Sequence, residues 1–147
     1  MKKLKIAVTG CLGRMGKQII KSSKNNKDFK LITITENKVV NKKISGLKPQ
    51  LNSAFAFKKA NIIIDFTVPK CTLEILKIAS KQKKRVVIGT TGFSKKEDAL
   101  IKKYSKKIPI LKAGNMSLGI NLLIYLTEIT AKSLGNNFLS KIFEMHH

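Results

Sequence analysis

The chain of 147 residues is about the length of one domain, and 43% of its residues are hydrophobic, which is enough to form a packed core. This composition excludes a disordered chain, a collagen-like repeat and a disulfide-rich scaffold. The formal net charge of +22 suggests a nucleic-acid partner, but 28 of the 30 basic residues are lysine. Few aromatic side chains lie among these lysines, whereas single-strand binders combine charge with stacking rings. We therefore favour a solvated lysine surface without a nucleic-acid partner, and a lysine-rich nucleic-acid binder is the weaker alternative.

The sequence also lacks the signals of membrane insertion, secretion and metal binding. The most apolar run, 118–126, contains Asn121 and is followed by Glu128, so it falls short of the ~18 apolar residues that span a bilayer. The basic start of the chain is not followed by a long apolar segment with a cleavage site. Cys11 and Cys71 lie far apart without metal-ligand spacing. We expect a cytoplasmic protein with reduced, buried or half-buried cysteines, no membrane partner and no metal.

Short β-prone runs alternate with segments of helical periodicity along most of the chain. Residues 37–53 are polar and contain Gly and Pro, which predicts irregular structure, and Gly135 is a predicted helix C-cap. Strands that alternate with helices require right-handed crossovers, so we predict an α/β fold with a Rossmann-like, doubly wound, mainly parallel sheet. In chain order, the predicted elements are strand 4–9, helix 15–23, strand 31–35, strand 61–66, helix 72–83, strand 85–88, a helix from the capping box at 94–97 to 106, strand 108–112, helix 117–134 and strand 139–145.

A glycine-rich turn lies where the first strand meets the first helix, and it reads Gly10-Cys11-Leu12-Gly13-Arg14-Met15-Gly16. Glycines allow a tight turn and close approach of a ligand, and a helix N-terminus offers free N–H groups and partial positive charge to a pyrophosphate. Arg14 adds a planar donor group. Because the spacing is not the standard G-x-G-x-x-G, an ordinary strand-to-helix turn is the alternative interpretation.

Glu36 ends the second predicted strand, 20 residues after Gly16. A dinucleotide site places at this distance the carboxylate that accepts hydrogen bonds from the adenosine ribose. A carboxylate there repels a 2′-phosphate, although Lys38 two residues later partly compensates. We therefore expect NADH to be favoured and NADPH to be tolerated, and an ordinary surface carboxylate is the alternative.

Three further loops follow predicted strands, at the edge where open α/β sheets bind ligands. Taken separately, each of them is also a plausible turn. The chain ends in His146 and His147, which are compatible both with a tag remnant and with a catalytic role. The three loops are Phe66-Thr67, Gly89-Thr90-Thr91 and Ala113-Gly114-Asn115-Met116.

Taken together, these motifs resemble the 4-hydroxy-tetrahydrodipicolinate reductase family, formerly called dihydrodipicolinate reductase. The resemblance spans the whole chain and rests on six markers in order. They are G-x-x-G-R-M-G at 10–16, Glu36, Ile64-Asp65-Phe66-Thr67, Gly89-Thr90-Thr91-Gly92-Phe93, the segment 115–121 and Glu144-Met145-His146-His147.

The resemblance implies roles for individual residues. The cofactor pyrophosphate would be held by Gly10, Cys11, Leu12, Gly13, Arg14 and Met15 and its ribose by Glu36, and the nicotinamide half would lie against Thr67, Gly89, Thr90, Thr91, Ala113, Gly114, Asn115 and Met116. His146 matches the family's proton donor and acceptor, and His147 matches a substrate contact. The implied reaction transfers hydride from NADH or NADPH to a small cyclic dicarboxylate, with loss of water, in diaminopimelate and lysine synthesis.

The family pattern continues beyond the two histidines with a lysine proton donor and a D-x-P-S-G-T segment, neither of which occurs in these 147 residues. The resemblance therefore predicts a dinucleotide-binding domain over 1–117 and, over 118–147, the first helix and strand of an incomplete α+β substrate domain. The family forms homotetramers through that domain. We expect this chain alone not to turn over substrate, and a non-catalytic dinucleotide-binding module is the alternative.

Overall fold

The structure, a computed structural model, describes residues 3–143 and 145. It divides into two compact units, Met1–Gly114 (unit 1) and Asn115–His147 (unit 2). The division into domains at 1–117 and 118–147 stays a prediction.

Unit 1 contains one parallel sheet of six strands in the order β3-β2-β1-β4-β5-β6. Every neighbouring pair is parallel, so the predicted α/β class with a Rossmann-like sheet is confirmed. The strand order reverses between β1 and β4, and open sheets of this kind bind ligands at the carboxyl ends of the strands beside such a reversal. The strands are β1 Leu4–Thr9, β2 Phe29–Glu36, β3 Gln50–Leu51, β4 Ile62–Asp65, β5 Arg85–Ile88 and β6 Ile110–Lys112.

Four helices connect these strands: α1 Arg14–Ser23, α2 Ala54–Phe57, α3 Pro69–Lys81 and α4 Lys95–Ser105. The predicted capping box is present, since Ser94 accepts from the Glu97 amide and the Glu97 carboxylate accepts from the Ser94 amide. Helix α3 begins at Pro69, three residues earlier than predicted. Proline is suited to a first helical turn because that turn does not need its N–H.

The core of unit 1 consists of two clusters on opposite faces of the sheet. Ile6 and Val8 pack in one cluster with Ile20 and Ile34, whereas Ala7 between them packs in the other. Successive strand residues point to opposite faces, so a strand covered on both sides needs apolar residues at every position. This explains the uninterrupted apolar residues at 62–64 in β4 and at 86–88 in β5.

The structure also contains two short elements inside or beside the segment that was predicted to be irregular. Strand β3 pairs Gln50 with Thr35 and Leu51 with Glu36, and helix α2 follows it. Ser53 caps this helix by accepting from the Ala56 amide. A two-residue strand and a one-turn helix are too short to give a periodic sequence signal.

Unit 2 consists of helix α5, Leu118–Leu134, and a 3₁₀ turn at Gly135–Asn137. Ser117 caps the start of α5 and Gly135 ends it with φ +68°, which confirms the predicted helix and its C-cap. The predicted strand 139–145 is wrong for the residues described there, 139–143 and 145, which form no strand. A strand needs a hydrogen-bonded neighbour, and the described part of unit 2 contains none. Helix α5 and the other helices described are too short or too polar to cross a membrane.

Candidate functional site

The glycine-rich turn after β1 is closed by hydrogen bonds of its own backbone. The Gly13 amide donates to the Gly10 carbonyl at 2.9 Å, and the Cys11 amide donates to the Thr35 carbonyl of β2 at 3.1 Å. Gly10 has φ +64°, which favours glycine, and a Cβ there would lie 2.8 Å from Cγ2 of Thr67. The turn is therefore narrow and lies directly against the loop after β4.

Helix α1 begins at this turn and leaves its first amides free. Gly13 is the N-cap and has no side chain to occupy them, and the Arg14 and Met15 amides have no acceptor among the residues described. A Cβ on Gly16 would overlap the Gly10 carbonyl, so only glycine lets the helix start this close. The exposed N-terminus of α1 thus presents free donors and partial positive charge to solvent, which suits a pyrophosphate.

The carboxylate of Glu36 is held at the same turn. One oxygen, Oε2, accepts from the Leu12 amide at 3.1 Å, and the other, Oε1, accepts from the Asn37 amide at 3.1 Å. Glu36 is half-buried, whereas Lys38 is exposed. Each carboxylate oxygen can accept more than one hydrogen bond, so the carboxylate keeps acceptor capacity for hydroxyl donors beside the turn.

The loops after β4 and β5 are joined to each other. The Thr67 amide donates to Oγ1 of Thr90 at 2.9 Å, and the Gly89 amide donates to the Asp65 carbonyl at 2.8 Å. A Cβ on Gly89 would overlap the ring of Phe66. Thr90 is buried and Thr91 is exposed. These loops, the glycine-rich turn and Glu36 therefore meet at one edge of the sheet.

Not all of the predicted site residues lie in the described part of unit 1. Ala113 directly follows β6 and its amide donates to the Ile88 carbonyl at 3.1 Å, and Gly114 ends unit 1. Asn115 and Met116 belong to unit 2, where Oδ1 of Asn115 accepts from the Ser117 amide. The two histidines, His146 and His147, lie outside the described residues.

Asp65, the last residue of β4, is a site residue to which the sequence motifs assign no role. Its carboxylate is fully buried and accepts from Thr9, Thr67 and Thr72. The sequence signals were its place near the end of the predicted strand 61–66 and in the family marker Ile64-Asp65-Phe66-Thr67. Its partner Thr9 lies 56 positions away in β1, so this hydrogen bond could not be recognised before the sheet was known.

Both cysteines are free and buried, as the sequence predicted. Burial, and then the negative charge of Glu36, raises the pKa of the Cys11 thiol from its ordinary 9.0 to about 11. Burial is also the largest cause that raises the pKa of the Cys71 thiol, whose sulfur accepts from Nδ2 of Asn52 at 3.2 Å.

Alkylation by iodoacetamide should therefore be slow for the native protein at pH 7.5, because the thiolate is the reactive form and both thiols are shielded. In denaturant, both thiols should react at the rate of an unhindered cysteine. Mass spectra recorded at successive times give the number of alkylated cysteines per chain. The native rate at Cys11 should keep rising with pH beyond 9, because its pKa is about 11. Rapid double labelling of the native chain would contradict this.

Comparison with known proteins places the chain in a family. The profile described as the N-terminus of dihydrodipicolinate reductase matches residues 4–116. The chain belongs to this dihydrodipicolinate reductase family. Among curated members, the 4-hydroxy-tetrahydrodipicolinate reductase of Pelagibacter ubique (strain HTCC1062) is 71% identical over all 147 residues, which are 57% of that relative. The enzyme of the same name from Buchnera aphidicola subsp. Acyrthosiphon pisum (strain Tuc7) is 42% identical over 99% of this chain and 58% of the relative.

The family also contains a solved structure of similar fold. A dipicolinate-bound dihydrodipicolinate reductase from Paenisporosarcina sp. TG-14 matches with a TM-score of 0.73 over 88% of this chain and 54% of that one, at 21% identity. At this identity the likeness establishes the fold alone. The chain spans somewhat more than half the length of the curated relatives it matches.

Proposed function

We propose that the chain forms the NAD(P)H-binding part of a 4-hydroxy-tetrahydrodipicolinate reductase, which reduces its substrate to tetrahydrodipicolinate in diaminopimelate and lysine synthesis. One contact carries the proposal, the hydrogen bond from the Leu12 amide to the Glu36 carboxylate at 3.1 Å. It places an acceptor suited to ribose hydroxyls beside amides suited to a pyrophosphate. Membership of the family and the names of the curated relatives support the reaction.

The residues of the glycine-rich turn fit a dinucleotide in their chemistry. The amides at the start of α1 and the guanidinium of Arg14 would neutralise the pyrophosphate, and Glu36 would accept from the ribose hydroxyls. Thr67 and the loop Gly89–Thr91 would line the nicotinamide half, together with Ala113, Gly114, Asn115 and Met116. When bound, the cofactor supplies the hydride.

We further propose that NADH is favoured over NADPH. If Glu36 accepts from the ribose hydroxyls, a 2′-phosphate on that ribose would lie beside its carboxylate, and two like charges there repel each other. Lys38 is exposed and two residues away, so its attraction for a phosphate is screened by solvent.

The remaining roles follow the resemblance. His146 would hold the proton delivered to the reduced substrate, and His147 would contact that substrate, a small dicarboxylate. The net charge of +22 would attract such a dianion to the protein. The homotetramer is proposed on the family's behaviour alone.

Titration of the 147-residue chain with NADH, followed by cofactor fluorescence, tests the proposed binding. We expect saturable binding with a stoichiometry of one per chain and only a shallow dependence on salt. A nucleic-acid binder instead predicts retention of DNA, with an affinity that falls steeply with the logarithm of the salt concentration as counterions are released. DNA retention without saturable NADH binding would contradict the proposed function.

A further inference from the structure

The carboxylate of Asp65 joins four segments of unit 1. Oδ1 accepts from the hydroxyls of Thr9 at 2.6 Å and Thr67 at 2.7 Å, and Oδ2 accepts from Thr72 at 2.5 Å, with Thr90 3.5 Å away. These threonines belong to the end of β1, the loop after β4, helix α3 and the loop after β5. One side chain therefore connects both loops that would line the nicotinamide half of the cofactor.

No cation neutralises this carboxylate within the described part of the chain. The ion pairs there are Lys112–Asp98 and Lys132–Glu128, although the protein carries 30 basic residues. A buried carboxylate is costly unless its lone pairs are filled. At Asp65 they are filled by hydroxyl donors, so the carboxylate and its threonines depend on each other.

The hydrogen bonds form a continuous series from the backbone of Thr67 to the carboxylate of Asp65. The Thr67 amide donates to Oγ1 of Thr90 at 2.9 Å, and Oγ1 of Thr90 is hydrogen-bonded to Oγ1 of Thr72 at 3.1 Å. Thr72 in turn donates to Asp65. The series therefore links the carboxylate of Asp65 to the backbone amide of Thr67 through two threonine hydroxyls.

We propose that Asp65 is a positioning residue for the cofactor, which orders the loops after β4 and β5 through Thr72 and Thr90. This inference rests on the proposed function, because it concerns the same site. Asp65 is fully buried and acts through the threonines, not by touching the cofactor. Loss of the network should leave the Thr67 and Gly89–Thr91 backbone free to adopt other positions.

The variants Asp65→Asn, Thr72→Val and Thr72→Ser test the proposal by NADH titration. We expect Asp65→Asn and Thr72→Val to weaken NADH binding by about tenfold, the effect of one lost hydrogen bond, and Thr72→Ser, which keeps the hydroxyl, to bind like the wild type. Thr33→Val is the matched control. Thr33 of β2 is buried like Thr72 of α3, but it does not contact Asp65, so the variant should bind NADH normally.

Two readouts separate positioning from a loss of stability. Thr72→Val should weaken NADH more than ADP-ribose, which lacks nicotinamide, whereas partial unfolding weakens both equally. Amide hydrogen exchange should accelerate at Thr67 and Gly89–Thr91 in this variant and not in Thr33→Val.

Equal losses for both ligands, or normal NADH binding by Thr72→Val, would overturn the positioning role. If Asp65→Asn does not fold, the comparison of Thr72→Val with Thr72→Ser still tests the positioning role. A wild-type chain that fails to bind NADH contradicts the proposed function instead, so the two failures are distinguishable.

Discussion

Gly13→Asp should abolish cofactor binding and leave the fold intact. Gly13 is the N-cap of α1 in extended backbone, with φ −69° and ψ 163°, and aspartate is among the best N-cap residues. Its carboxylate would accept the amides that a pyrophosphate needs. It would also repel the phosphates by about 4 kcal/mol per pair at ~4 Å and an effective dielectric constant of ~20, which is roughly a thousandfold in Kd.

Two matched variants isolate the effect of this charge. Gly13→Ala adds only the Cβ, which lies 3.2 Å from the Gly10 carbonyl, so it should cost far less affinity. Gly119→Asp adds the same charge in the first turn of α5, where the Cβ lies 3.9 Å from Oγ of Ser117, and it should bind NADH normally. A folded Gly13→Asp protein with wild-type affinity would refute the role of the glycine-rich turn.

Glu36→Gln should weaken NADH and shift the preference towards NADPH. The amide oxygen can still accept from the Leu12 amide, as Oε2 does at 3.1 Å, so the turn keeps its anchor. The variant loses the charge that strengthens hydrogen bonds from ribose hydroxyls, and with it the repulsion of a 2′-phosphate. We expect a loss of about tenfold for NADH and a gain for NADPH, because a hydrogen bond to a charged group is worth ~1.5–3 kcal/mol.

Parallel titrations with NADH and NADPH measure the ratio of the two dissociation constants. The control is Glu74→Gln, which removes the same charge from an exposed position on α3 and should leave the ratio unchanged. If Glu36→Gln leaves the ratio at its wild-type value, the carboxylate does not discriminate between the cofactors.

The sequence correctly predicted the helix caps and the glycine-rich turn, because these features depend on residues close together in the chain. The capping box at Ser94 and Glu97 and the C-cap at Gly135 are confirmed, because each depends on neighbours within one helical turn. The glycine-rich turn and the long β-branched runs also lie where they were predicted. Their signals come from steric limits on the backbone and from burial on both faces of a sheet.

The sequence failed where an element depends on a distant partner. Strand β3 is defined by its pairing with Thr35 and Glu36 of β2, and no local sequence pattern predicts that pairing. The strand predicted at 139–145 had suitable residues but has no neighbour among those described. Strand propensity is weaker evidence than pairing because a strand gains its hydrogen bonds only from another strand.

The sequence by itself determined the fold class, the glycine-rich turn and the carboxylate of Glu36, since each is encoded by residue type and short spacing. Only the tertiary structure decided which residues meet. It placed Glu36 within hydrogen-bond distance of Leu12 and surrounded Asp65 with threonines as far as 56 positions away. The physical reason is the strand order, which sets β1 between β2 and β4 and so gathers the carboxyl ends of separate strands at one edge.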